Sequence, residues 1–189
     1  MVSQPTDNAR SAIPTMSTDA DGSASYGGDM APAQHVPAPE FDVEEWIGTP
    51  SPLASLRGKV VLVEAFQMLC AGCVNYGIPQ AQRVQRMFPN VAVVGLHTVF
   101  EHHEVTGPDA LKVFLHEFGV RFPVGIDRHD GDSIPVTMRT YGLEGTPSTL
   151  LFDKAGSLMF SHLGKVDDLA LGVMIGQLIA QPGEPAEVP

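Results

Sequence analysis

The sequence has little of several things that would place it in familiar classes of protein. Its 189 residues include only two cysteines, which excludes a small secreted scaffold held together by several disulfides. No apolar run approaches the length that a membrane-spanning helix requires. Basic residues are scarce as well, since 11 Lys and Arg face 22 Asp and Glu and give a formal net charge of −11. This balance argues against nucleic acids and anionic membrane surfaces as partners.

The acidic excess is concentrated near the N-terminus. Residues 1–56 hold eight acidic side chains and one basic side chain, a net charge of −7, which leaves −4 for the rest of the chain. Residues 1–38 are rich in Ser, Thr, Ala, Gly, Pro and Asp and show no apolar periodicity, so they cannot bury enough surface to offset their ordering entropy. We therefore predict a disordered acidic tail at 1–38, one folded domain at 39–183 and a short flexible C-terminus at 184–189.

The apolar pattern of the predicted domain alternates between strands and helices. Stretches typical of strands are 41–47, a run that begins at Val60, 91–96, 122–126, 148–152 and 157–162. Helical patterns cover 74–88, 108–118 and 167–180, with a possible single turn at 52–56. Two buried strands joined by a helix imply a parallel crossover, whereas the last two strands are typical of an antiparallel hairpin. The sequence thus predicts an α/β fold with a mixed central sheet flanked by helices.

Two cysteines stand three apart where the buried strand from Val60 gives way to a helix. Cys70 lies at the first turn of that helix, where unpaired N–H groups and the positive end of the helix dipole stabilise a thiolate. Cys73, one turn further on the same face, is close enough to close a disulfide with it. We therefore expect Cys70 to be a nucleophile and Cys73 to be its resolving thiol.

Three separated motifs resemble the thioredoxin superfamily, and within it the TlpA-like, or redoxin, branch of thiol-disulfide oxidoreductases. The motif at 70–73 reads Cys-Ala-Gly-Cys, the approach to the central strand at 56–61 reads Leu-Arg-Gly-Lys-Val-Val, and 145–153 reads Gly-Thr-Pro-Ser-Thr-Leu-Leu-Phe-Asp. The resemblance covers about residues 40–182. It implies a thioredoxin-like fold and an enzyme that uses a redox-active C-x-x-C dithiol.

The resemblance also implies roles for three residues outside the dithiol. Glu64 occupies the position of a buried acid that accepts the proton of the resolving cysteine, and burial should raise the pKa of its carboxyl. The alternative is a glutamate at a strand end that reaches solvent. Thr146 and Pro147 match the family's cis-proline loop, in which the backbone of Thr146 would bind an extended substrate segment. The alternative for Pro147 is an ordinary turn proline.

Two other functions fit the same stretch less well. Peroxidases of this fold place a proline and a Thr or Ser ahead of their reactive cysteine, but here Gln67 stands three residues before Cys70 and the proline is absent. A metal-binding or metal-delivery module would combine the two cysteines with Met68 and nearby polar side chains. These are His97, Glu101, His102, His103, Glu104 and His116. We expect them to form a solvated polar loop and expect no metal site.

The combined prediction is a thiol-disulfide oxidoreductase that reduces or exchanges substrate disulfides. The Cys70 thiolate would form a mixed disulfide, and Cys73, assisted by Glu64, would release the reduced substrate. No cofactor is expected. The expected partners are a disulfide-containing protein or small molecule and a cellular dithiol electron donor, without nucleic acid or membrane. Residues 1–7 lack the basic start and apolar block of a signal peptide, so we expect a cytoplasmic protein.

Overall fold

The structure is a computed structural model that describes residues 36–182. Its strands are β1 Val43–Ile47, β2 Val60–Phe66, β3 Val91–His97, β4 Val124–Asp127, β5 Ser148–Phe152 and β6 Leu158–Leu163. Its α-helices are α1 Ile78–Met87, α2 Pro108–Glu117, α3 Val136–Thr140 and α4 Asp168–Ala180. The chain also forms 3-10 turns at Leu53–Leu56 and His103–Val105 and a π-helical turn at Cys73–Gly77. None of the helices within 36–182 has the length and apolar character needed to cross a bilayer.

The predicted flexible C-terminus and most of the predicted disordered tail lie outside the described residues. The last three tail residues, 36–38, are described, and the N–H of Ala38 donates to the carbonyl of Gly156 at 2.9 Å. That bond ties the end of the predicted tail to the turn between β5 and β6.

The strands form one mixed sheet in the order β1-β4-β3-β2-β5-β6. The parallel part comprises β2, β3 and β4, and β2 and β3 are connected through α1 as their apolar sequences predict. Strand β5 runs antiparallel to β2, and β6 runs antiparallel to β5. Strand β1 closes the other edge, antiparallel to β4. The mixed sheet flanked by helices is confirmed.

Strand β2 is the centre of the sheet and is buried along its whole length. Successive side chains of a strand point to opposite faces, so β2 contributes to two separate cores. Val61, Val63 and Ala65 pack into the core that also holds Met138 of α3. Val60, Leu62 and Phe66 pack into the core formed with α1, α2 and α4. Glu64 falls on this second face, between two large apolar side chains.

Several predicted elements differ from the observed ones. Helix α3 and the 3-10 turn at His103–Val105 were not predicted, because both are short and have no apolar period of their own. The apolar residues that end the predicted helices 74–88 and 108–118 are not part of the core. Met87, at the end of α1, is 74% exposed, and Phe118, just beyond α2, is 47% exposed and packs on Phe114 with ring centroids 4.4 Å apart. Both residues lie past the edge of the core.

The predicted helix at 74–88 is confirmed over 74–87, but it is not α-helical throughout. Its first part is the π-helical turn Cys73–Gly77, in which the N–H of Ile78 bonds the carbonyl of Cys73, five residues earlier. Pro79 comes two residues after this turn. It has no N–H to donate, and in a regular α-helix its ring would clash with the carbonyl of the residue four positions earlier. The wide turn relieves this conflict, and regular α-helix begins at Ile78.

Candidate active site

The dithiol lies just beyond the C-terminal end of β2, at the entrance to the π-helical turn. Cys70 is half-buried, whereas Cys73 is fully buried. Both are free thiols in this structure, with the N–H of Cys73 directed at Cys70 Sγ over 3.2 Å. Burial, reinforced by the neighbouring Cys70, raises the pKa of the Cys73 thiol well above its ordinary value. One sulfur is therefore accessible, and the other is enclosed and holds its proton firmly.

The loop before β5 packs directly against this dithiol. The Thr146–Pro147 peptide bond is cis, and the Cys70 thiol lies 3.4 Å from the carbonyl oxygen of Thr146, to which it donates. A methyl group placed on Gly72 would lie 2.9 Å from Pro147 Cδ and 3.9 Å from Cys70 Sγ. The structure thus brings together the dithiol and both predicted loop residues, which are separated by more than seventy positions in the chain.

Glu64, near the C-terminal end of β2, has 1% of its surface exposed, so the solvent-reaching alternative is wrong. Its Oε2 accepts a hydrogen bond from Thr149 Oγ1 at 3.0 Å. Its Oε1 has no hydrogen-bond partner among residues 36–182. Burial raises the pKa of the Glu64 carboxyl to about 8, and the bond from Thr149 opposes part of that shift. A carboxyl with this pKa can both take up and release a proton near neutral pH.

Gly77, the last residue of the π-helical turn, covers the free oxygen of Glu64. A methyl group placed there would lie 2.0 Å from Glu64 Oε1 and 2.9 Å from Pro147 Cβ. Only a glycine lets the turn that begins at Cys73 approach the carboxyl this closely. Sequence reasoning missed both Gly77 and Thr149. Signals for them were available, since Thr149 comes two residues after Pro147 and Gly77 two residues before Pro79.

Gln67, which distinguishes this chain from the peroxidase motif, forms side-chain hydrogen bonds with the backbone of the next loop. Its buried Oε1 accepts the N–H groups of Phe100 and Glu101 at 3.2 and 3.3 Å and so holds the loop after β3. Beside it is a small cleft of about 40 Å³. The lining residues are Gln67, Leu69, Cys70, Glu101, His102 and Thr106.

The histidines of the metal-binding alternative do not form a cluster with the dithiol, although His102 lines the cleft beside Cys70. The expected solvated loop is wrong for His97, which ends β3, is 1% exposed and packs its ring on Phe66 with centroids 5.4 Å apart. His102 and His103 are exposed on the loop after β3, where the ring of His103 contacts that of His129. Across 36–182, no group of three or more His, Cys, Asp or Glu side chains is arranged to hold a metal ion.

A solved structure of similar sequence decides the family of this fold and site. A crystal structure of a thioredoxin-like superfamily protein is 52% identical, superposes with a TM-score of 0.76, and matches over 78% of this chain and 98% of its own. The chain belongs to the thioredoxin-like superfamily. A thiol-disulfide isomerase from Corynebacterium glutamicum, at 51% identity and a TM-score of 0.74, matches this thioredoxin-like chain over 77% of its length and 97% of its own.

A curated relative agrees with this membership. The thiol-disulfide oxidoreductase ResA of Bacillus thuringiensis is 27% identical over 128 residues, which are 68% of the thioredoxin-like chain and 68% of ResA. No family model matches the chain. Together with Cys70 and Cys73, which lie close together, these relatives confirm the resemblance to TlpA-like proteins. They identify the thioredoxin-like chain as a thiol-disulfide oxidoreductase.

Proposed function

We propose that this oxidoreductase reduces disulfides in a two-cysteine cycle, with Cys70 as nucleophile, Cys73 as resolving thiol and Glu64 as proton acceptor. The observation that carries the proposal is the unequal environment of the two sulfurs. Cys70 is half-buried and open to a substrate, whereas Cys73 is 0% exposed. This asymmetry supports Cys70 as the sulfur that attacks first.

In the first step the Cys70 thiolate attacks one sulfur of the substrate disulfide. A Cys70–substrate disulfide forms, the substrate S–S bond breaks, and the departing substrate sulfur leaves as a thiolate that takes a proton from water. The N–H of Cys73, 3.2 Å from Cys70 Sγ, donates to the sulfur while it carries negative charge. The Thr146 carbonyl accepts from the same sulfur when it is protonated.

In the second step Cys73 loses its proton and attacks Cys70 Sγ. The Cys70–Cys73 disulfide forms, the bond to the substrate breaks, and the second substrate sulfur departs as a thiolate. Because burial holds the proton on Cys73, the step needs a base. The Glu64 carboxyl, whose pKa is about 8, is the buried acid that packs against the turn starting at Cys73. Two electrons have then passed to the substrate, and a cellular dithiol reduces the Cys70–Cys73 disulfide and is itself oxidised to a disulfide.

The surface around Cys70 suits an extended segment of a protein substrate. Leu69, which lines the cleft with Cys70, is 61% exposed, and Tyr76 in the π-helical turn and Leu163 at the end of β6 are each 48% exposed. Apolar side chains exposed together mark sites of protein contact. Leu163 borders the proline loop, since its Cδ1 would lie 3.3 Å from a methyl group on Gly145. The Thr146 backbone, directed at the site, supplies the polar contact that such a segment needs.

Cysteine variants test the cycle. We expect Cys70→Ser to abolish turnover of a disulfide substrate, whereas Cys73→Ser should form the Cys70–substrate disulfide and be unable to resolve it, so that a covalent complex accumulates on non-reducing gels. Turnover that survives in Cys70→Ser would contradict the mechanism. Stoichiometric metal that survives dialysis and is lost in Cys70→Ser would favour the binding module instead.

We also propose reduction as the physiological direction and the cytoplasm as the compartment. The two belong together, because the cytoplasm keeps dithiols reduced. Equilibrating the protein in defined redox buffers and labelling its free thiols gives the reduction potential of the Cys70–Cys73 pair. A value near about −270 mV supports a reductant, and one near about −120 mV contradicts both proposals. Fractionation of cells that produce the full chain tests the compartment separately.

A further inference from the structure

The Glu64 carboxyl is held from two sides by residues that form no bond with the substrate. We infer that Thr149 and Gly77 are positioning residues, which orient this carboxyl so that its free oxygen, Oε1, is the one that exchanges a proton during resolution by Cys73. The inference rests on the proposed function, because it takes Glu64 to be the proton acceptor.

Thr149 fixes one oxygen through the register of the sheet. Strands β2 and β5 are antiparallel neighbours, and Glu64 lies directly opposite Thr149 in their pairing. Side chains opposite one another in such a pair project from the same face and are close enough to bond. Thr149 is 2% exposed, and its hydroxyl donates to Glu64 Oε2 at 3.0 Å. Both side chains are enclosed by protein, so removing the hydroxyl leaves the carboxyl oxygen without this donor.

Gly77 places the other oxygen against the redox turn. A methyl group added at Gly77 would lie 2.0 Å from Glu64 Oε1 and 2.9 Å from Glu64 Cδ. The same methyl group would lie 2.9 Å from Pro147 Cβ. The carboxyl of Glu64 therefore lies between Thr149 of β5 and the π-helical turn that starts at Cys73, next to the proline loop.

The two contacts leave the oxygens in different states. Oε2 is occupied by the Thr149 hydroxyl, and Oε1, fully buried, has no partner within the described part of the chain. A buried carboxyl oxygen without a partner is costly, which is why such groups are usually found where they serve a function. Oε1 is the oxygen left to take up the proton, and it faces the turn that carries the proton's source.

The first test compares Thr149→Val with Thr149→Ser. Mixing the reduced protein with the disulfide reagent 5,5′-dithiobis(2-nitrobenzoate) in a stopped-flow instrument gives two releases of coloured thiolate, the first from attack by Cys70 and the second from resolution by Cys73. In the wild type the second rate should rise with pH through about 8. Valine removes a hydrogen bond to the ionised carboxyl, so the inflection should move up by about one pH unit and the second rate at pH 7 should fall about tenfold.

The control lies in the serine variant and the first phase. Thr149→Ser keeps the hydroxyl and should keep the wild-type inflection, and the first phase should be unchanged in both variants. An unchanged inflection in Thr149→Val, or an equal loss in Thr149→Ser, overturns the positioning role. If thermal unfolding shows that Thr149→Val does not fold, Thr149→Ala carries the same expectation.

The second test is a double-mutant cycle between Gly77→Ala and Glu64→Ala. Alone, Gly77→Ala should slow the second phase at least tenfold, because its methyl group occupies the position of Oε1. In the Glu64→Ala background the carboxyl is absent and only the approach of 2.9 Å to Pro147 Cβ remains, so the same methyl group should slow the second phase much less. An equal loss in both backgrounds would show that Gly77 acts on the backbone alone, and would overturn its positioning of Glu64.

Glu64→Gln separates this inference from the proposed function. In one outcome, Glu64→Gln loses the inflection at about pH 8 in the rate of the second phase, and Thr149→Val keeps it unchanged. This result overturns the positioning role of Thr149 and leaves Glu64 as proton acceptor. A Glu64→Gln variant with a wild-type pH profile removes Glu64 from the mechanism and overturns both.

Discussion

The pH dependence of folding stability tests the buried state of Glu64 independently of any activity. The perturbation is Glu64→Gln, which keeps the size of the side chain and removes its ionisation. An unfolded glutamate has the ordinary pKa of 4.5, whereas in the folded protein burial raises the pKa to about 8. Between these values the folded state binds more protons than the unfolded state, so the stability contributed by the neutral carboxyl falls as the pH rises.

The magnitude follows from the two pKa values. Linkage gives a loss of about 0.8 kcal/mol by pH 5 and of about 3.3 kcal/mol by pH 7, both relative to the fully protonated protein. The wild type should therefore lose about 2.5 kcal/mol between pH 5 and pH 7 that the glutamine variant keeps. The other titrating groups, including the buried His97 and Asp127, are common to both proteins and cancel in the difference.

Urea denaturation of reduced wild type and Glu64→Gln, followed by circular dichroism at half-unit steps of pH, measures this difference. The quantity of interest is its change with pH, because the constant effect of the substitution does not depend on ionisation. We expect the variant to gain steadily on the wild type as the pH rises and the gain to level off above about 8. A difference that stays constant from pH 5 to pH 8 would mean that the carboxyl ionises normally, and would refute the reasoning from burial.

Two further predictions concern buried groups outside the redox site. Burial lowers the pKa of His97 to about 4, so the stability that its neutral form contributes is lost as the pH falls from 6.5 through 4. The His97→Phe variant should keep about 3 kcal/mol of unfolding free energy between pH 7 and pH 4 that the wild type loses. Parallel acid-denaturation curves of the two proteins would contradict this. The carboxylate of Asp127 accepts hydrogen bonds from the N–H groups of Thr137 and Met138 at 2.8 and 3.0 Å and from the hydroxyl of Thr98 at 3.0 Å. The Asp127→Ala variant leaves these donors buried without an acceptor, so urea denaturation should show a free energy of unfolding lower by about 2 to 4 kcal/mol. A change below about 0.5 kcal/mol would show that water replaces the carboxylate.

The sequence by itself determined the parts of this protein that local chemistry specifies. A run of β-branched residues is buried wherever it lies in a sheet, so β2 and β3 were predictable from composition alone. The dithiol was equally clear, since two cysteines three apart at the start of a helix share one face. Glu64 stood out because a carboxylate within an apolar strand is costly unless the fold uses it.

The tertiary structure decided which residues meet around that carboxylate. Thr149 is 85 positions from Glu64, and only the pairing of β5 with β2 sets them side by side. Gly77 reaches Glu64 because the π-helical turn shifts the helix, an adjustment that follows from Pro79 but that no apolar period records. Helix α3 likewise begins where Asp127 accepts its first N–H groups. Periodicity describes a single element, whereas these contacts depend on the register between elements, which is fixed only when the whole sheet has formed.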